Sequence, residues 1–470
     1  MGKLNKDNLR KTVYYLKKNG LKNTLYAIAE RVQKQDTDSY TYETPAEEVL
    51  EFQRKRSWEQ PVTFSILVPL YHTPEKYFRE MVESVLAQTY PYFQLVLLDA
   101  GAGEVQEKAT AGAGEVGNTT LYEQLVKSYK DDRICYYPLE DNKGIAENTN
   151  AGIEYATGDY IALLDHDDLL TADALYEMAA AIEDGKKRGV ELQMLYSDED
   201  KCDGEAVKFY EPHFKLDFNL DLLLTNNYIC HFTAIKSKLF EELKLRGAYN
   251  GAQDFDLVLR VAGKLLNRQE LICHIPKVLY HWRCHVSSTA ANPASKMYAY
   301  EAGKRAVEAF VAEKGWQAQV EHLKHLGFYR VNYEGGKDAI FRQRPEVGAL
   351  GGSLLGPKGK IVGGLRTADG TPVYEGLKHG FSGYMNRAAL VQQAEVLDIR
   401  CMSVNPACEA ILEQCLGEFG LTKEDYIQLH IPRTDVDITG LSVRVSQALQ
   451  EAGYVLVWEP WWKQLYVGEI

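Results

Sequence analysis

No apolar stretch in this 470-residue chain is long enough to cross a bilayer as a helix. Basic residues are outnumbered: 53 Lys and Arg stand against 66 Asp and Glu, a net charge of −13. A general nucleic-acid binder needs a basic stripe, so nucleic acid is not an expected partner. Cysteine is sparse and scattered, eight residues with no Cys-x-x-Cys pair. That speaks against a disulfide scaffold and for a reducing cytoplasm with mostly buried thiols. Cys401, Cys408 and Cys415 recur every seven residues, but Pro406 interrupts the first interval and no His pattern accompanies them. A zinc site is therefore not expected there. The start, Met1 to Asp7, runs into a polar, basic segment and does not read as a secretion signal. What is left is ordinary globular composition, 45% hydrophobic and 25% charged, in a chain long enough for roughly two to four domains.

The most informative stretch is Asp159 to Asp168, Asp-Tyr-Ile-Ala-Leu-Leu-Asp-His-Asp-Asp. Tyr160 to Leu164 is a continuous apolar run, as in a strand buried on both faces. Asp165, Asp167 and Asp168 follow at once. Clustered carboxylates at a strand end put hard oxygen ligands at the rim of a parallel sheet, where open α/β sheets bind ligands. Such a set suits Mg²⁺ or Mn²⁺, which share their shell with substrate phosphates. A helix N-cap needs one Asp, not three. Leu169 to Ile182 reads as the helix that follows.

The remaining chain supports an α/β reading. Residues 1 to about 35 carry Lys and Arg between apolar residues at helical spacing, broken at Asn19-Gly20. They predict either an amphipathic helix on anionic lipid or a hairpin packed on the protein. Residues 36 to 60 form a polar, acidic and then helical lead-in. Strands are expected at Phe64 to Val68, Phe93 to Leu98, Arg133 to Tyr137, Tyr160 to Leu164, Gln193 to Tyr196, Tyr228 to Ile235 and Leu271 to Tyr280. Helices alternate with them, which implies a parallel sheet with right-handed crossovers. Ala-Gly-Ala-Gly-Glu-Val occurs at Ala100 and again at Ala111. The second copy matches the dinucleotide fingerprint formally, but Glu-Lys-Ala-Thr precedes it where a strand is needed, so it reads as a glycine-rich loop at the sheet rim.

Together these motifs resemble the inverting family 2 glycosyltransferases with the GT-A fold, over Phe64 to about Trp316. The matching residues come in the family's order: Pro69-Leu70-Tyr71, Asp99, Asn142-Lys143-Gly144-Ile145-Ala146 with Asn150, Asp165-His166-Asp167-Asp168, Gln253-Asp254 and His281-Trp282-Arg283. Tyr-Ser-Asp-Glu-Asp-Lys with His-Trp-Arg resembles transferases that build rhamnose-containing and other bacterial surface polysaccharides. The chain departs from the family at Asp99-Ala100-Gly101-Ala102, where Asp-Asp-x-Ser is frequent. The resemblance implies an α/β fold of the GT-A type, Rossmann-like, with an N-terminal helical segment (1–60), a transferase domain (61–320) and a C-terminal α/β module (321–470). It implies that Pro69, Tyr71, Asp99, Lys143, Asp165 and Arg283 bind a UDP- or dTDP-linked sugar. Asp167 and His285 would hold Mg²⁺ or Mn²⁺, with His281 the other candidate histidine, and Asp254 would be the catalytic base.

Chemistry agrees with these roles. The departing diphosphate gains charge that a metal and an Arg stabilise. The acceptor hydroxyl loses a proton to a positioned carboxylate, and a helix N-terminus keeps Asp254 ionised. The C-terminal part is expected to be a truncated second copy, without a nucleotide half and without catalysis. Thr434-Asp435-Val436-Asp437 resembles the base motif, and Tyr454 to Trp458 the strand after it. Lacking a sheet of its own to complete, this module is expected to cover that strand against the first domain or another chain, as in a homo-oligomer. Trp458, Trp461 and Trp462 are candidates for stacking on sugar rings, with buried aromatic packing the commoner use of such a cluster. The expected function is metal-dependent glycosyl transfer to a growing surface glycan or lipid-linked acceptor, in the cytoplasm or peripheral on the inner membrane face. The alternatives are a catalytically idle glycan-binding scaffold and a sugar nucleotidyltransferase.

Overall fold

The computed structural model describes residues 40–103, 120–284, 297–429 and 435–466. What was expected of residues 1–39, of the second glycine repeat, of His285 and of Thr434 lies outside them. The described residues divide into two compact units, 40–218 with 227–310 and 219–226 with 311–466.

The first unit is built on a nine-stranded sheet. Its strands are β1 (Phe64–Leu70), β2 (Phe93–Asp99), β3 (Ile134–Pro138), β4 (Tyr160–Leu163), β5 (Leu169–Leu170), β6 (Met194–Asp203), β7 (Phe209–His213), β8 (Thr233–Lys236) and β9 (Ile272–Cys284). The order is β3-β2-β1-β4-β8-β6-β9-β5, with β7 on the flank of β6. β1 to β4 are mutually parallel, and Phe64 stands opposite both Phe93 and Tyr160. Apolar runs such as Ser65-Ile-Leu-Val and Leu95-Val-Leu-Leu are buried on both faces, as a sheet covered on both sides requires. Phe78, Met81, Val82 and Val85 of helix Glu75–Leu86 pack into one core with Leu175, Met178 and Ile182 of helix Ala174–Lys187.

The sheet is mixed, not wholly parallel as expected. β8 runs antiparallel between β4 and β6. The strand expected from Tyr228 is only Thr233–Lys236, because the preceding residues turn through side-chain bonds such as Asn227 Oδ1 accepting from Cys230 N at 3.3 Å. The helix expected from Leu169 starts at Ala174. Its first residues instead form β5 against β9, after which Thr171 Oγ1 donates to Asp173 at 2.7 Å.

The second unit corrects the expectation of a module without its own sheet. Strand Val347–Leu355 is buried throughout and pairs in parallel with Val455–Leu465 and antiparallel with Ile361–Gly363 and Met402–Val404. Helices Glu409–Glu418 and Ile438–Glu451 cover this sheet through Leu412, Leu416, Leu441, Val445 and Leu449. The apolar strand is thus buried inside its own unit and does not require a second chain to cover it. Trp458 is fully buried and its Nε1 donates to Gly352 O at 3.0 Å, so it is a core residue and not a sugar platform. Trp458→Ala is expected to cost about 3–5 kcal/mol, seen as a lower denaturation midpoint of this unit. An unchanged midpoint would contradict that packing role.

Candidate active site

The carboxylates sit where the sheet ends. β4 stops at Leu163, and Asp165 to Asp168 turn out of it toward β5. Asp168 is buried. Its Oδ2 accepts from Tyr280 OH at 2.5 Å and its Oδ1 from Arg283 N at 2.7 Å. Burial first, then the neighbouring Asp167 and Asp165, push its carboxyl well above the ordinary range. Burial also raises Asp165, helped by Asp167 and Asp254 and opposed by His231 and His166.

His231 faces this group from the loop before β8. Its Nδ1 meets Glu199 Oε2 at 3.0 Å, and its Nε2 lies 3.8 Å from Asp165 Oδ2. The ring stacks on Tyr280 with centroids 4.5 Å apart. Glu199 is buried on β6 between His231, Lys215 and His213, with the last two at 3.5 Å. Burial opposes its charge, yet Lys215 and the two histidines hold it well below the usual carboxylate range. A carboxylate on Nδ1 fixes a histidine for ligation through Nε2.

Ligand atoms of Asp165, Asp168 and His231 all lie within 4.8 Å of one another. This oxygen and nitrogen set fits a divalent cation such as Mn²⁺ or Mg²⁺. His166 Nδ1, buried beside it without a hydrogen-bond partner among the described residues, is a further donor or acceptor that a ligand can satisfy. Asp168 is the least open of the three, because both its oxygens already accept a bond. The grouping does not include Asp167, and His285 lies outside the described residues.

A cation bound here would have to displace protons. Asp165 and Asp168 keep theirs to higher pH than ordinary aspartates, and Cys230 and Glu199 raise His231 well above its ordinary value although burial works against the charge. The melting-temperature rise caused by Mn²⁺ should therefore grow as pH climbs from the ordinary carboxylate range past neutrality. A rise that is constant, or larger in acid, would contradict this.

Asp254 lies in the first turn of helix Gln253–Lys264, whose N-cap is Ala252, so the carboxylate is not itself the cap. Asn227 Nδ2 donates to Asp254 Oδ2 at 2.7 Å, and Cys230 Sγ is 3.7 Å from the same oxygen. Oδ1 has no partner among the described residues. Asp256, two positions on, is buried against Arg246 and Arg260 and serves the fold. Asp254, Cys230, His231 and Asp165 thus form one continuous row of contacts.

The other expected residues take varied places. Pro69 and Leu70 end β1, with Leu70 opposite Asp99 of β2, and Tyr71 follows half-exposed. Asp99 is buried, and its oxygens accept from Gly101 N at 2.9 Å and Tyr136 OH at 2.6 Å. Lys143 is exposed. Its loop is held by Asn142 and Asn148, and Gly144 at φ +88° leaves no room for a Cβ, which would meet Asn250 at 2.7 Å. Arg283 is fully buried: Nε donates to Asp167 O at 2.6 Å, Nη1 to Gly204 O at 2.9 Å, and Nη2 pairs with Glu80 at 2.7 Å. As described it braces the Asp167 loop and does not face solvent. His281 is likewise buried, bound to Asp200.

Sequence reasoning missed His231, Glu199 and Asn227. The acidic run Asp198-Glu199-Asp200 was the available signal, because three carboxylates on an apolar strand need buried partners.

The first unit is thus a mixed α/β sheet with carboxylates beyond a central strand and a further acid at a helix start. Residues 65–244 match the family described as Glycosyl transferase family 2. The chain is similar to an uncharacterized protein, y4gI, of Sinorhizobium fredii, 38% identical over 53% of this chain and 25% of that protein. It is also similar to the O-antigen biosynthesis protein RfbC of Myxococcus xanthus, 29% identical over 57% of this chain and 19% of that one. The chain thus spans about a quarter or less of the length of these two relatives. Among solved structures, S. aureus TarS 1–349 in complex with UDP-GlcNAc aligns at a TM-score of 0.40 and 18% identity, covering 53% of this chain and 66% of that one. No helix among the described residues is long and apolar enough to cross a membrane.

Proposed function

We propose that the first unit transfers a hexosyl or deoxyhexosyl group, with inversion, from a nucleotide-diphosphate sugar to a bacterial surface glycan or its lipid-linked precursor. The observation that carries this reading is the row Asp165–His231–Cys230–Asp254, which sets a cation-type ligand group beside a carboxylate with one unengaged oxygen. Asp165, Asp168 and His231 would hold the divalent cation, with Asp167 beside them. When bound, the cation supplies positive charge for the departing diphosphate. Asn227 orients Asp254 through Oδ2, which leaves Oδ1 to take the proton of the acceptor hydroxyl. Glu199 holds the His231 ring in place. Pro69, Tyr71 and Asp99 mark the base end of the donor, and Lys143 its phosphates. The surface-glycan acceptor is supported by the O-antigen relative.

The retained carboxylates favour this reading over an idle scaffold. The absence of a basic glycine loop after β1, which reads Pro69-Leu70-Tyr71-His72, disfavours a nucleotidyltransferase. The test is a panel of UDP-, dTDP- and GDP-sugars with Mg²⁺ or Mn²⁺, read by thermal shift and by release of nucleoside diphosphate. One donor class should stabilise the protein and turn over only with metal. No shift with any donor would overturn the reading.

The place of action is proposed as the cytoplasm or the inner membrane face, through the basic segment 1–34. Deleting it should reduce flotation with anionic vesicles, and salt should weaken the intact protein's binding. Equal flotation of both forms would contradict this. The second unit is proposed to be non-catalytic. Asp437 caps helix Ile438–Glu451, accepting from Gly440 N at 2.9 Å, and both Asp435 and Asp437 are exposed. Because Asn also caps well, Asp435→Asn with Asp437→Asn should leave donor turnover nearly intact. Loss of turnover in the folded double variant would place a working site in this half.

A further inference from the structure

The second unit holds a pocket of about 360 Å³ that the transfer reaction does not use. It owes its shape to an irregularity in the sheet. Val347–Leu355 and Val455–Leu465 pair in parallel with Gly351 opposite Trp458, yet Ser353 stands opposite Lys463. Between these pairs Gly352 alone stands against Glu459 to Trp462, so the second strand carries three extra residues that bulge out of the ladder. Bulges of this kind re-aim side chains, and they cluster beside functional sites. Here the bulge sets Trp462 in the pocket wall and places Lys463 and Gln464 at its edge. The backbone approach is close: a Cβ at Gly352 would stand 2.5 Å from Trp462 O, so only glycine fits opposite the bulge.

The wall is chemically one-sided. Lys337, Arg400 and Lys463 line it, together with Ser403 and Tyr426, and among the described residues no carboxylate does. Lys337 is partly buried; its Nζ donates to Ser403 Oγ at 2.9 Å and lies 4.9 Å from the centroid of the Trp462 ring. Burial pushes the Lys337 ammonium below its ordinary pKa, the response of a cation short of a counter-charge. Arg400 pairs with Asp398 at 2.7 Å, but the same carboxylate also pairs with Arg366 at 2.6 Å. One acid thus serves two guanidiniums, and the wall retains surplus positive charge. An indole with the Lys337 ammonium at its face, in a wall that also holds Arg400 and Lys463, is suited to a ring that carries an anionic substituent.

We propose that this pocket is a binding site for an anionic saccharide, a sugar phosphate or a uronic acid, with the sugar ring against Trp462 and the anion at Lys337, Arg400 and Lys463. It is separate from the donor site and holds its ligand without metal.

The test is a titration of the full chain in EDTA, followed by tryptophan fluorescence and calorimetry. The probes are glucose 1-phosphate, glucuronate, neutral glucose and inorganic phosphate. Saturable binding of the sugar phosphate or of glucuronate is expected, and which of them binds more tightly identifies the source of the anion. Lys337→Gln and Trp462→Leu should each weaken that binding at least tenfold. Lys463→Gln, at an exposed position, should weaken it in the same direction and serves as the check if either partly buried variant folds poorly. Asp167→Asn, which alters the donor site, should leave the affinity unchanged. Loss of binding in Asp167→Asn would assign it to the donor site and overturn the proposal. Equal binding of neutral glucose would remove the anion subsite, and equal binding of inorganic phosphate would remove the saccharide. Unchanged affinity in folded Lys337→Gln and Lys463→Gln would overturn it outright.

Discussion

Asp254→Asn is expected to lower turnover about 10²- to 10⁴-fold with donor affinity retained. The exchange is nearly isosteric and preserves the first turn of helix Gln253–Lys264, so the fold has no reason to change. What it removes is the capacity of Oδ1 to take a proton. Asn227 already donates to Oδ2, and an amide in place of the carboxylate can still accept that bond through its oxygen. The split matters. A base that acts on the acceptor lowers kcat and leaves donor binding alone, whereas a residue of merely structural importance lowers thermal stability as well. Asp256 supplies the internal control. It stands two residues away, buried between the partly exposed Arg246 and the largely buried Arg260, and Asp256→Asn should lower stability by leaving Arg260 in particular short of its counter-charge. Full turnover in folded Asp254→Asn would place the base elsewhere.

Asp167→Ala should abolish metal-dependent donor binding and reduce transfer by roughly three orders of magnitude, the several kcal/mol that a cation contributes to a leaving diphosphate. EDTA should do the same to the unaltered protein. His231 allows a finer test. Because Glu199 aligns its Nδ1, His231→Gln should weaken Mn²⁺ binding more than donor binding in the absence of metal, and Glu199→Gln should weaken Mn²⁺ binding about 10–100-fold. Full activity with EDTA present would remove metal from the mechanism, and an unchanged Mn²⁺ affinity in His231→Gln would remove that histidine from the ligand set.

The parts of this molecule legible in its sequence are those governed by local rules. Two-sided burial marked β1, β2 and β4 as apolar runs, and the carboxylates after β4 announced themselves by number. Asp254 was singled out by the resemblance of Gln253-Asp254 to the family motif, and the structure places it in the first turn of helix Gln253–Lys264. The less legible parts depend on distant pairing. Nothing local says that β8 runs antiparallel between β4 and β6, since four residues of strand carry no direction in their side-chain pattern. His231 lies in a segment that reads as a strand, and its placement depends on Glu199, thirty-two positions earlier. Arg283 resembles an exposed phosphate clamp in sequence, yet the structure buries it against Glu80 and the Asp167 carbonyl. In the second unit, Tyr454 to Trp458 looks like the orphaned strand of a broken domain. Two helices supplied from earlier in the chain cover it, which a strand-by-strand reading does not foresee.

The most direct measurement follows the anomeric proton of the sugar released from an α-linked nucleotide-diphosphate donor. Time-resolved proton NMR records it before mutarotation, with water as the surrogate acceptor and Mn²⁺ replaced by diamagnetic Mg²⁺. A single displacement assisted by Asp254 predicts the β anomer as the first product, formed only with the metal and lost in Asp254→Asn. The α anomer as first product, or release that persists unchanged in Asp254→Asn, would contradict an inverting transferase with this base.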